Sequence, residues 1–194
     1  MAFMNLIKPI ILGSGSPRRH EIFTNMGIIC KIIVRETDES FEEVQNPHDV
    51  PEYLALKKLS SFDGDYQDHL VICADTVVIV DDQILNKPSD VEEATTMLKL
   101  LSGTTHLVIT GVAIRNGDKK WTFKDTCKVT FAPFSDEEIA HYIETCKPFD
   151  KAGAYGIQDF AGLAKVSKLE GSYYTVMGLP AHLVYEEIKP YIKF

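Results

Sequence analysis

Ile10-Ile11-Leu12-Gly13-Ser14-Gly15-Ser16-Pro17-Arg18-Arg19 is the stretch from which the fold class can be read. A short apolar run ends in a Gly-Ser loop, after which Ile22, Phe23 and Met26 recur at helical spacing up to Gly27. The order is strand, loop, helix. Ser16 stands where an N-cap is needed. Pro17 takes the first helical position, where its missing N–H costs nothing, and Gly27 suits the left-handed stop. Arg18 and Arg19 then fall in the first turn. Exposed N–H groups at a helix entry, joined by two guanidinium groups, can hold phosphate; a plain helix cap with two solvated arginines fits the same residues. Neither G-x-x-x-x-G-K-[ST] nor G-x-G-x-x-G occurs, so the standard phosphate loops are excluded.

Outward from this unit, residues 28–34 read as a second strand, and Glu36-Thr37-Asp38-Glu39 follows as an acidic segment. Asp49 opens a helix, with Glu52 placed for a reciprocal cap. Residues 69–80 are nearly all apolar and suit a strand buried on both faces. Asp81-Asp82 makes a turn and residues 83–85 a short return strand, and Val91, Ala94, Leu98 and Leu101 mark one face of a helix ending before Gly103. Residues 106–115 and 121–131 form a hairpin around Asn116-Gly117. Ser135 with Glu138 opens another helix by a capping box. A glycine-rich stretch spans 150–162, a hairpin is expected at Glu170-Gly171, and a closing helix follows Pro180. Interleaved strands and helices predict an α/β fold with a twisted, mixed central sheet flanked by helices.

The chain has 194 residues, 45% of them hydrophobic and 25% charged, enough for one domain over 1–194 or two closely packed lobes. A net charge of −8 opposes nucleic-acid binding, although basic residues gathered in one place can still hold a small anion. Cys30, Cys73, Cys127 and Cys146 contain no C-x-x-C pair and read as reduced thiols. No run reaches membrane-spanning length and no signal segment is evident, so a cytoplasmic protein is expected.

Asp75 interrupts the most apolar run of the chain. An unpaired carboxylate buried there would cost several kcal/mol, on the order given for buried ions, so it needs a partner. It is read either as a magnesium ligand, as a base activating water, or as a strand-end residue capping a turn. Glu36, Asp38 and Glu39 add hard oxygen ligands, and Lys87 precedes Pro88. His20, His48, His69, His106, His141 and His182 show no metal spacing, and no G-x-S-x-G elbow exists.

Taken together, Ser14-Gly15-Ser16-Pro17-Arg18-Arg19, Ala74-Asp75-Thr76-Val77, Lys87-Pro88, Leu101-Ser102-Gly103, Asp150-Lys151-Ala152-Gly153-Ala154-Tyr155-Gly156-Ile157-Gln158 and Gly178-Leu179-Pro180 closely resemble the Maf family of septum-formation-inhibitor-like nucleotide pyrophosphatases. The resemblance implies two α/β lobes with an active-site cleft between them, and a hydrolase acting on phosphoric anhydride bonds. Such an enzyme converts nucleoside triphosphates to monophosphate and pyrophosphate. It also implies a divalent cation, magnesium or else manganese or cobalt, held by Glu39 and Asp75. By motif matching, Asp75 falls at the position of the general base. Ser14, Arg18, Arg19, Glu39, Lys58, Lys87 and Gln158 fall at active-site positions, with Arg18, Thr76 and Gln158 tied to base selectivity. Glu36 or Asp38 could replace Glu39 in this match, and Lys57 could replace Lys58. The Asp150 to Gln158 block resembles the branch acting on dTTP, UTP and related pyrimidine nucleotides. A 7-methyl-GTP branch and a non-enzymatic regulator of cell division are the competing readings. A small-molecule nucleotide and a second copy of the chain are the implied partners. The chain departs from the family pattern at Asp159-Phe160-Ala161-Gly162.

Overall fold

A computed structural model describes residues 3–193. In chain order the elements are β1 (Asn5–Leu6), β2 (Ile10–Leu12), α1 (Pro17–Asn25), β3 (Cys30–Ile32), α2 (Val50–Ser60), β4 (Leu70–Val80), β5 (Gln83–Leu85) and α3 (Val91–Leu101). They continue with β6 (Thr105–Asn116), β7 (Lys119–Phe131), α4 (Asp136–Cys146), α5 (Phe160–Lys165), β8 (Val166–Glu170), α6 (Tyr173–Met177), α7 (Ala181–Ile188) and β9 (Ile192–Lys193). Seven strands form a mixed sheet in the order β3-β2-β4-β6-β7-β8, with β5 paired to β4, while β1 and β9 make a separate pair. Pairing of β2 is parallel to both β3 and β4; β5 on β4 and β8 on β7 are antiparallel. This is the α/β class with a central mixed sheet and helices.

The chain sorts into two compact units. The first takes the chain up to Asp75, Thr110–Asp125 and the segment from Gly178 on; the second takes Thr76–Ile109 and Thr126–Met177. In the first, Ile11, Leu59, Phe62, Val71 and Cys73 are wholly or almost wholly buried and form one apolar cluster. Side chains of the Leu, Ile and Phe type contribute roughly 1.5–3 kcal/mol each when removed from water. Gly13 is needed at the end of β2 because a Cβ there would lie 2.5 Å from the Cys73 sulfur and 2.9 Å from the Phe62 ring. Gly111 in β6 is tighter still: a Cβ would lie 2.3 Å from the Glu52 nitrogen and 2.4 Å from the Pro51 carbonyl carbon, so the first turn of α2 rests on the bare strand. Arg115, its side chain 2% exposed, donates from Nη1 to the Phe62 carbonyl at 2.6 Å and from Nη2 to the Asp65 carbonyl, just after α2. In the second unit, Leu98, Leu101, Val129, Phe131, Tyr142, Ala154 and Tyr155 belong to a larger cluster.

Several local expectations hold. Ser135 and Glu138 make the reciprocal capping box, Pro17 begins α1, Gly27 takes a φ of 73°, and Gly117, with a φ of 58°, turns the β6–β7 hairpin. Others fail for identifiable reasons. The strand expected over 28–34 is only Cys30–Ile32, because the Ile28 N–H is committed to the Phe23 carbonyl in the stop of α1. Ser16 occupies the N-cap of α1 without a side-chain cap bond. The cap expected from Asp49 and Glu52 does not form: a 3-10 turn, Pro47–Asp49, capped by Asn46, leads into α2, and the two carboxylates bond to Lys124 and Thr122 of β7. Glu170-Gly171 is not a hairpin; β8 ends there and the chain passes into α6.

Candidate active site

Within the first unit, β2 is hydrogen-bonded to β3 on one side and β4 on the other. The chain therefore leaves β2 in one direction and returns to its opposite flank, a switch point outside whose strand carboxyl ends α/β proteins bind ligands. The Gly13–Ser16 loop exits there. Ser14, 8% exposed, accepts the Ser16 N–H at 3.2 Å and Arg19 Nη1 at 3.1 Å through its hydroxyl oxygen. Arg19 also donates from Nε to the Gly178 carbonyl at 2.6 Å, which aims the guanidinium from two sides.

Asp75 lies on β4 beyond Ile72, the partner of Leu12. The partner its burial demands is Lys58, whose ammonium donates to Asp75 Oδ1 and reaches Glu39 Oε1 at 2.8 Å. The Lys58 and Asp75 side chains are 18% and 13% exposed, whereas Glu39 is open to solvent. Of the alternatives in the acidic segment and on α2, Lys57 and Asp38 pair with each other at 2.7 Å, on an exposed face. Adjacent helix positions point about 100° apart, so only one of the two lysines can face the sheet. The Lys57 ammonium, with the hydroxyl and backbone N–H of Ser40, holds the Asp38 carboxyl well below the usual carboxylate range.

Burial pushes the Arg19 guanidinium down from its ordinary pKa; Asp75 and, more weakly, Glu39 oppose this, while Arg18 adds to it. Arg18, Arg19, Lys58, Glu39 and Asp75 are thus one electrostatic group, with three cations against two carboxylates. Cys73, beneath Gly13, is pushed up to about 12 by burial, so its thiol stays protonated and is no nucleophile at neutral pH. Among the described residues no group of three or more His, Cys, Asp or Glu side chains is arranged to hold a metal ion.

Thr76, Lys87 and Gln158 belong to the second unit. Lys87 follows Asn86, whose carbonyl accepts the Gly153 N–H at 3.1 Å, so the lysine segment and the glycine-rich loop leading to Gln158 are fastened together. Gly153 has a φ of 67°, and a Cβ there would press on Val78 at 3.0 Å. Tyr155 meets the His106 Nε2 at 2.8 Å and packs edge-on to Phe131. Two contacts beside these residues were not visible in the sequence: the Tyr142 hydroxyl donating to Asp159 Oδ2 at 3.2 Å, and the Gly178 carbonyl accepting from Arg19 Nε.

A mixed α/β sheet with guanidinium, ammonium and carboxylate groups gathered at a switch point is the layout of a phosphate-handling α/β protein. The chain belongs to the Maf family: residues 9–191 match the family described as Maf-like protein. It is 47% identical over 186 residues to a dTTP/UTP pyrophosphatase of Porphyromonas gingivalis, covering 94% of each chain. A dTTP/UTP pyrophosphatase of Cytophaga hutchinsonii is 42% identical over 180 residues, 93% of this chain and 83% of its own. One from Bacillus cereus is 45% identical over 185 residues, 95% of this chain and 91% of its own. Among the described residues no helix is long and apolar enough to cross a membrane.

Proposed function

We propose that the chain hydrolyses the α–β anhydride of nucleoside triphosphates, releasing monophosphate and pyrophosphate, with dTTP, UTP and related pyrimidine nucleotides preferred. The observation that carries this reading is the Lys58 ammonium holding both Glu39 and Asp75 beside Arg19. Ser14, Arg18, Arg19, Lys58 and Lys87 bind and orient the polyphosphate. Asp75 takes the proton of the attacking water as the anhydride bond breaks and pyrophosphate leaves. A guanidinium destabilised by burial gains from an anion placed against it, so substrate charge is favoured there.

The donor set fits a divalent cation. Two carboxylates already share one positive charge, and magnesium is commonly bound by one or two carboxylates together with substrate phosphates. Glu39 and Asp75 would hold it, and bound there it supplies neutralisation of phosphate-oxygen charge. Thr76 and Gln158 choose the base, Gln158 by an amide that offers both donor and acceptor. The proposed working form is a cytoplasmic homodimer acting on free nucleotide, with no nucleic-acid or membrane partner; sedimentation tests the dimer.

The function is tested by pyrophosphate release from a panel of dTTP, UTP, dGTP and 7-methyl-GTP with Mg2+. The first two should lead. Preference for 7-methyl-GTP would move the chain to the other branch, and binding without release from any member would make it a nucleotide-dependent regulator.

A further inference from the structure

Gln158 sits in a turn whose ends are held by one hydroxyl. The turn runs from Gly156 to Asp159 and is closed by the Asp159 N–H donating to the Gly156 carbonyl at 3.2 Å, with Ile157 and Gln158 between. The Gly156 N–H donates to the Tyr142 hydroxyl at 3.1 Å, and that hydroxyl donates in turn to Asp159 Oδ2 at 3.2 Å. Tyr142 itself is fully buried on α4.

Asp159 is unusual in what it does not do. It occupies the N-cap of α5 with an extended backbone, φ −87° and ψ 179°, yet makes no side-chain cap bond. A residue type favoured at N-caps has forgone that role, and its carboxylate goes instead to Tyr142 and to Lys151 at 3.6 Å. The carboxylate lies over Gly156, where a Cβ would come within 2.6 Å of Oδ2. From the other direction, the first turn of α5 presses Gly162 onto Ile157, where a Cβ would come within 2.0 Å of the carbonyl oxygen. The backbone on both sides of Gln158 is therefore fixed while its own side chain stays partly exposed.

We infer that Tyr142, acting through Gly156 and Asp159, is a positioning residue that sets the presentation of Gln158 and so the discrimination between bases. The inference rests on the reading above that Gln158 meets the base. Burial raises the Tyr142 hydroxyl above its ordinary pKa, which keeps its proton available to Asp159 across the working pH range. Asp159 has Lys151 and Tyr142 as its partners.

The test is Tyr142→Phe, which removes the hydroxyl and keeps the ring. kcat and KM are measured for dTTP and dGTP by pyrophosphate release. The dTTP/dGTP ratio of kcat/KM should fall about fivefold, the effect of one hydrogen bond, through a higher KM for dTTP with kcat held within about twofold. In a Gln158→Ala background the same substitution should move the ratio no further. Asp159→Asn, which can still accept from Tyr142, should keep more of the ratio than Asp159→Ala; this pair also carries the test if Tyr142→Phe folds poorly. A lower melting temperature with an unchanged ratio would overturn the inference, as would an equal fall in the Gln158→Ala background. If Gln158→Ala alone leaves the ratio at its wild-type value, the base-reading role and this inference fail together; if it moves the ratio and Tyr142→Phe does not, only this inference fails.

Discussion

Asp75→Asn separates proton transfer from charge balance at the candidate site. The amide keeps an acceptor for Lys58, so the ammonium stays in place. What is lost is one of two carboxylates facing three cations, which leaves the group one positive charge richer. Losing a charge from a pair whose side chains are 13% and 18% exposed should cost on the order of 1–2 kcal/mol, between the surface and buried limits. For a chain of 194 residues that lowers the melting temperature by about 2–8 °C. Polyphosphate binding should not weaken, since the added positive charge favours it, so KM for dTTP should hold or fall. Turnover should fall at least ~100-fold, about 2.7 kcal/mol of barrier, because the amide at 75 cannot take the water proton. The assay is pyrophosphate release from dTTP over a range of Mg2+ concentrations, starting from the one that saturates wild type, with thermal unfolding in parallel. A kcat within about threefold of wild type would remove Asp75 from the base role. Recovery of kcat at raised Mg2+ would assign it to holding the cation.

Lys87→Ala should lower kcat by about 10–100-fold through loss of positive charge from the phosphate grip, and a change confined to KM would mean it supplies uniform binding only. Glu39→Gln should raise the Mg2+ concentration needed for half-maximal turnover while leaving the melting temperature within about 2 °C, because Glu39 is half-exposed; an unchanged Mg2+ dependence would exclude it as a ligand. Gly111→Ala forces backbone of α2 away from β6 and should cost about 1–3 kcal/mol, with activity falling for every nucleotide because Lys58 rides on α2; a normal melting temperature would contradict the contact. His106, 1% exposed, has its pKa pushed down by burial to about 4. The unfolded chain therefore binds the proton first, so this contribution to stability is whole above about pH 6.5 and is lost as pH falls toward 4, by roughly 3 kcal/mol in all. Melting temperature against pH should flatten in that window for His106→Gln, and an unchanged slope would shift the cause elsewhere.

The strand–loop–helix unit at Ile10–Arg19 was legible because its punctuation is local: an apolar run, a small-residue loop, a proline and a stop glycine. The same holds for Ser135 and Glu138, whose cap needs nothing beyond four residues of chain. Asp49 and Glu52 carried an equally good signature and lost it to Lys124 and Thr122, partners on a distant strand that no local pattern announces. Asp75 was legible as a charge needing a partner, and the partner turned out to be a lysine on α2. Which of Lys57 and Lys58 that would be was not, since the choice depends on which face of α2 meets the sheet. Tyr142 was readable only as a core residue, because nothing in the sequence marks a hydroxyl that will be aimed at two groups on a loop 14 and 17 residues away.

The bond from Arg19 Nε to the Gly178 carbonyl joins residues 159 apart. During synthesis at roughly 5–20 residues per second, the guanidinium emerges about 8–30 s before the carbonyl that aims it. Until then the Ser14 hydroxyl, which accepts from Nη1, and the charge of Asp75 can already act on the arginine, but the Nε bond cannot form. A nascent chain should accordingly gain the Nε half of this two-sided hold on Arg19 only after Gly178 has emerged.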